Sequence, residues 1–220
     1  IMNSGVNMDT GAFNDFSLSA PAGYGVVNPL TTIVNSIVSG AGGITTEEAE
    51  ARVVDSLGLK LSEGANLSGY DPISDVTGDS LANRIVTAQI ASVLAVAAAS
   101  SEGEEGSEAA QQAVLDNLVV AIAGSDDLVL DSGSMAELMT NADGESLVDE
   151  GVLDELGSAI DQLSSAESID TIVSVQAALT DKIAPDAPIL DLTDETDTGI
   201  KGDAITSQLL PTVRVSFEID

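Results

Sequence analysis

Carboxylates are the side chains of this protein best equipped for chemistry, and one stretch concentrates them: Asp191, Asp194, Glu195, Asp197 and Asp203. At that density they repel one another unless water, salt or a cation screens them. A hard cation such as Ca²⁺, which takes about six to eight oxygen ligands, suits such a donor set. The competing reading is a solvated acidic linker. Asp191, Asp194, Asp197 and Asp203 are therefore the candidate metal ligands, and Ca²⁺ the candidate cofactor. A second group, Asn141, Asp143, Glu145 and Asp149, resembles an EF-hand loop at a glance but fails on spacing. Ser146 stands where the loop needs glycine, and Val152 where it needs glutamate. Those residues read as a turn between helices. Asp71, Asp75 and Asp79 precede a helix, where negative charge complements the helix dipole. Asp126, Asp127 and Asp131 read as loop solvation, and Glu104 and Glu105 as a wet charge run.

Catalytic chemistry has little else to draw on. The chain has 220 residues and contains no His and no Cys, so it lacks both an imidazole base near neutral pH and a thiolate nucleophile. Paired carboxylates that cleave glycosides need two distinct environments and usually aromatic walls for the sugar. Three Phe, two Tyr and no Trp make such walls hard to assemble. A Ser–Lys dyad would have to use Lys60, Lys182 or Lys201, all placed in or beside expected loops and helix ends. No glycine-rich phosphate loop leads into a helix carrying a lysine. The expectation is a non-catalytic protein. With 37 acidic residues against six basic ones, the formal charge of −31 repels nucleic acid and anionic membranes.

The elements that would carry these residues are mostly helical. Hydrophobic residues still make up 44% of the chain, enough for a folded core rather than a disordered acidic tail. Pattern and caps predict a mainly α fold, a bundle of about six to seven helices flanked by short β segments at both ends. Residues 1–27 read as a β/turn entry segment, in which Phe16, Leu18 and Ala20 alternate with serines before the turn at Pro21-Ala22-Gly23. Asn28-Pro29 opens a helix with the apolar face Leu30, Ile33, Val34, Ile37 and Val38, which Gly40 ends. Thr45 and Glu48 have capping-box spacing before a second helix stopped at Gly58. A third runs from about Ser80 to Ser100, and its stretch from Ile85 to Ala99 is apolar nearly all round, so it reads as central and buried. Its longest apolar run, Ile90 to Ala99, falls short of the roughly 18 to 20 residues a spanning helix needs.

Beyond an acidic connection, Glu102 to Gly106, a fourth helix follows on Ala110, Val114, Leu118, Ala121 and Ile122. Ser134 and Glu137 suit a capping box for a short fifth. Leu153, Leu156, Ile160 and Leu163 mark a sixth, and Ile169, Ile172, Val173, Gln176, Leu179 and Ile183 a seventh, stopped by Pro185. The helical domain is thus expected over 28–184. The period then changes from helical to two, at Ile189 to Leu192 and again at Val213, Val215, Phe217 and Ile219.

Two sets of short motifs resemble known modules. The first runs Leu18-Ser-Ala-Pro-Ala-Gly-Tyr-Gly-Val-Val-Asn-Pro-Leu-Thr-Thr-Ile33, then Thr46-Glu-Glu-Ala-Glu-Ala51, Leu57-Gly-Leu59 and Tyr70-Asp-Pro72. It resembles a helical module of large bacterial surface proteins. The second, Ala184 to Leu192 with Asp197-Thr-Gly199, Asp203-Ala-Ile-Thr206 and Pro211-Thr-Val213, resembles the opening of a bacterial Ig-like repeat of RTX-type and biofilm adhesins. That resemblance implies that 185–220 begin a truncated Ig-like domain, and that Ca²⁺ stiffens a domain junction there. It further implies a secreted, cell-surface, multidomain protein of adhesion or biofilms. Its partners would be neighbouring domains of the same polypeptide and cell-surface or matrix ligands, with no nucleic acid and no membrane insertion. The opening residues carry no leader pattern, and both ends read as cut, with a lone strand at the last residues. The alternative is a binding module whose bundle recognises a peptide, glycan or partner protein. If the 191–203 stretch holds Ca²⁺, millimolar Ca²⁺ raises the melting temperature and EDTA returns it; a melting curve indifferent to both rules that site out.

Overall fold

The computed structural model describes residues 5–6, 13–14, 17–40, 43–72, 74, 80–100, 103–183, 189–192 and 213–216. The chain divides into two compact units, Ile1–Ile183 and Ala184–Asp220. In the first, β1 (Gly5–Val6) pairs antiparallel with β2 (Phe13–Asn14). Seven helices follow among the described residues: α1 (Pro29–Ser39), α2 (Thr46–Ser56), α3 (Ser80–Ala99), α4 (Gly103–Gly124), α5 (Ser132–Leu138), α6 (Glu150–Ser164) and α7 (Ile169–Ile183). The mainly helical fold class is therefore present. In the second unit β3 (Ile189–Leu192) pairs antiparallel with β4 (Val213–Ser216), so the last strand is not alone as expected.

Local chemistry sets the helix ends. Asn28 caps α1: its side chain accepts from Thr31 N at 2.9 Å, and Thr31 Oγ1 accepts from Asn28 N at 2.9 Å. Thr45 and Glu48 close the same reciprocal box on α2. The C-terminus of α2 is a Schellman turn, with Gly58 N bonded to Asp55 O and Leu59 N to Val54 O. Gly58 sits at φ 60°, the left-handed region where a Cβ is penalised, and Leu59 is buried beyond it.

Several expectations need correction. The acidic residues expected as a connection lie partly inside α4, which begins at Gly103; negative charge suits the first turn of a helix. For α5 the cap is Asp131, whose carboxylate accepts from Ser134 N at 2.9 Å, so the box is Asp131 with Ser134 rather than Ser134 with Glu137. Leu18 forms only an isolated bridge and Ala20 belongs to no strand. Ser19 N donates to Thr32 Oγ1, and Ser19 O accepts from Thr31 and Thr32, so α1 side chains occupy the groups a ladder would need. Phe16, Asp75 and Asp79 lie outside the described residues. Ile169, expected on the apolar face of α7, is 42% exposed.

The core centres on α3, which packs against α1, α4, α6 and α7. Leu30, Ile33, Ile90, Leu94, Leu118, Leu156, Ile160 and Leu163 are among its fully buried side chains. The run-length argument undercounts α3. As a helix of 20 residues it is long and apolar enough to cross a membrane by length and composition, and over half of that span is buried against its neighbours. At the α5–α6 crossing, a Cβ on Gly157 would lie 3.1 Å from Ser132 Cβ, a tight contact that Ser132 would have to ease by a few tenths of an ångström.

Buried amides then fix the loops. Gln89 on α3 donates to Leu130 O at 3.0 Å and to Ser164 Oγ at 2.8 Å, tying the α4–α5 loop and the end of α6 to the central helix. Asn117 on α4 donates to Leu138 O and Thr140 O at the end of α5. Ser56 Oγ reaches Ser125 O at 2.8 Å, and Leu128 N returns a bond to Ser56 O at 2.7 Å. Gln89→Leu keeps the volume but strands the Leu130 carbonyl, and it is expected to lower unfolding free energy by about 1–3 kcal/mol. The same change at exposed Gln112 is expected to stay within about 0.5 kcal/mol. Urea denaturation of the two variants checks the difference; equal stabilities would mean the Gln89 clasp holds nothing.

Candidate functional site

Part of the first motif set meets at the junction of the entry segment, α1 and the loop before α3. Gly25 N donates to Ser68 O at 2.8 Å, and Asn28 Nδ2 donates to Tyr70 O at 3.0 Å. Asn28 thus caps α1 with its oxygen and holds the Tyr70 turn with its nitrogen. Asn83, only 1% exposed at the start of α3, completes the junction. Its Oδ1 accepts from Lys60 N at 2.9 Å, while its Nδ2 donates to Lys60 O and to Tyr70 Oη, both at 2.8 Å. Thr31 and Thr32 are buried beside it and bonded to Ser19 O and Asn28 O. These polar groups are consumed within the fold: the motif residues form a lock. Asn83 was not singled out from the sequence, although an amide in a largely apolar helix, like Gln89 six residues on, is the signal that could have found it.

A groove of about 520 Å³ runs between the entry segment, α1 and α4. Its polar lining groups are hydroxyls and amides with two carboxylates: Ser19, Thr32, Asn35 and Ser36 on one side, Gln111, Gln112, Glu108 and Asp116 on the other. Buried Gln111 bridges the two, accepting from Ser17 N at 2.8 Å. Asn35 Nδ2 donates to Ser19 Oγ at 3.1 Å, and Gln112 Nε2 to Asp116 Oδ1 at 2.8 Å. Such a lining orients hydroxyl- or amide-bearing groups by hydrogen bonding. It presents neither a nucleophile paired with a base nor an aromatic platform.

Of the candidate metal ligands, Asp191 lies on β3 at the register position opposite Arg214, while Asp194, Asp197 and Asp203 lie outside the described residues. Among the described residues no three acidic side chains gather to hold a metal ion. The 141–149 segment is a closed turn, as its failed EF-hand spacing implies. Asn141 Oδ1 accepts from Asp143 N and Glu145 N, and Thr140 and Ser146 form an antiparallel bridge. Of the three lysines weighed for a dyad, Lys182 pairs with Glu155, Lys60 lies at the lock and Lys201 is outside the described residues.

Two titratable groups are held away from their ordinary values. Burial, then the 2.7 Å hydrogen bond to Glu50 and the charges of Glu50 and Glu47, push the Tyr24 hydroxyl upward. Glu48 is held low by the Thr45 N–H, the Thr45 hydroxyl and, more weakly, Arg52. No family model, curated protein or solved structure matches this chain.

The Tyr24 shift has a sign. The unfolded tyrosine loses its proton near pH 10 while the folded one keeps it, so stability is full below that value and falls as pH rises past it. Tyr24→Phe is expected to flatten the alkaline limb of melting temperature measured from about pH 8 to 11. Parallel limbs for the two proteins would show that Tyr24 does not carry the effect.

Proposed function

We propose that this chain is a non-catalytic structural module of a large secreted bacterial surface protein of the adhesin type, serving cell adhesion or biofilm formation. Its task is to hold distance and orientation between neighbouring domains. One observation supports this most: Asn28, Thr31, Thr32 and Tyr70, which carry part of the resemblance, spend their polar groups on hydrogen bonds within the fold. A recurring motif used for folding fits a module whose product is its shape. The acidic exterior fits a protein working in salt- and Ca²⁺-rich surroundings, because carboxylates stay hydrated and screened there. In this reading the two short strand pairs flank the helical domain, and 185–220 begin an Ig-like repeat. Asp191, Asp194, Asp197 and Asp203 supply hard oxygen ligands for Ca²⁺ at the junction.

The second reading, a binding module, is favoured by the hydroxyl- and amide-lined groove between α1 and α4. A glycan or peptide would be its ligand. One experiment separates the two. In the parent surface protein, residues 28–184 are replaced by an unrelated helical domain of similar length, and surface display and attachment are measured together. The spacer reading expects both to persist. Normal display with attachment lost would assign recognition to the helical domain itself.

A further inference from the structure

A second groove, of about 560 Å³, lies on another face of the helical unit, between α2 and the 59–67 loop. Ala51, Val54, Leu61 and Ala65 supply aliphatic surface there, and Glu47, Glu50 and Asp55 supply carboxylates. Val54 and Leu61 are only half-buried, so their apolar surface is accessible. Lys60 is the one cation in the lining, against three acids. Glu50 is oriented from behind: the Tyr24 hydroxyl donates to Oε1 at 2.7 Å.

We propose that this groove docks a basic, aliphatic-bearing peptide segment of a partner protein. The charge decides the occupant. A second copy of this chain brings a further −31, and nucleic acid and anionic membranes also carry the wrong sign. A segment alternating lysine or arginine with leucine or valine matches both features. Its aliphatic side chains cover Val54 and Leu61, and its cations meet Glu47, Glu50 and Asp55 across the rim. The spacer reading neither requires nor excludes this partner.

The probe is a short synthetic peptide of alternating lysine and leucine, titrated calorimetrically into the full chain at about 0.15 M salt, where distant surface charges are screened. The comparison peptide alternates lysine with serine and so keeps the charge alone. Saturable binding of the first peptide and markedly weaker binding of the second are expected. The triple variant Glu47→Gln, Glu50→Gln, Asp55→Asn is expected to weaken binding roughly tenfold, as loss of three exposed charge pairs implies. Leu61→Ser is expected to weaken the leucine peptide while leaving the serine peptide unchanged. Removing three charges elsewhere, by Asp126→Asn, Asp127→Asn and Glu137→Gln, is expected to change little. Thermal melts establish that each variant is folded. The proposal is overturned by failure of the leucine peptide to bind, by equal binding of the two peptides, or by equal losses in the two charge-removed variants.

Discussion

The scarcity of bases constrains everything inside this protein. With 37 acids and six bases, interior carboxylates cannot be generally neutralised by pairing, and an unpaired buried carboxylate is far too costly to keep ionised. Among the described residues the buried polar side chains are accordingly all neutral: Thr31, Thr32, Ser56, Asn83, Gln89, Ser92 and Gln111. Aliphatic contacts drive burial but are weakly directional, and this core has few aromatic shapes to fix its registry. Amides supply the direction. Each of Asn83, Gln89 and Asn117 lets one helix hold the backbone of a loop remote in sequence. Such bonds are modest when made but costly to leave unmade, so they penalise alternative packings more than they deepen the native one.

That division explains which parts of the structure were legible in the sequence. Helix faces and most ends depend on residues three or four apart, so Asn28-Pro29, Thr45 with Glu48, and the glycine stops at 40 and 58 announce themselves. Where two local signals compete, pattern reading chose wrongly. Ser134 fits both as a cap for Glu137 and as the third residue of a helix capped by Asp131, and the carboxylate takes the cap. The alternation at Phe16, Leu18 and Ala20 resembles a strand, but whether a strand forms depends on what its backbone meets. For Ser19 it meets the threonines of α1. The amide clasps span 21 to 75 residues of sequence and leave no periodic trace.

The candidate site was less legible for a related reason. Acidic density drew attention to the 191–203 stretch because charge is the conspicuous property of this composition. Asp191 alone of those candidates falls on a described element, where Arg214 stands opposite. The concave surfaces of the helical unit arise instead from tertiary joins: α1 against α4 for the hydroxyl-lined groove, and α2 against its following loop for the acid-rimmed one. Each wall alone has ordinary helical spacing, as at Thr32, Asn35, Ser36 and Ser39 or at Glu47, Glu50, Ala51, Val54 and Asp55, but which walls face each other is set by packing. Only Gln111, an amide on an apolar helical face, marks the first groove in the sequence.

The two grooves also show how one lock can shape two surfaces. Asn83 holds Lys60 by both backbone groups, so the 59–67 loop is pinned at its start, and Gly25 N holds Ser68 O at its end. A loop fixed at both ends keeps Leu61 and Ala65 facing α2, which preserves a groove that an untethered loop would collapse into. The same lock holds Ser19 against α1 through Thr31 and Thr32, and that fixes one wall of the polar groove. Neutral interior bonds therefore set the geometry on which the acidic exterior acts. The carboxylates contribute hydration, repulsion and selection by charge; where Glu48, Asp131 and Glu50 do bond within the fold, they cap helices or meet Tyr24 outside the buried core.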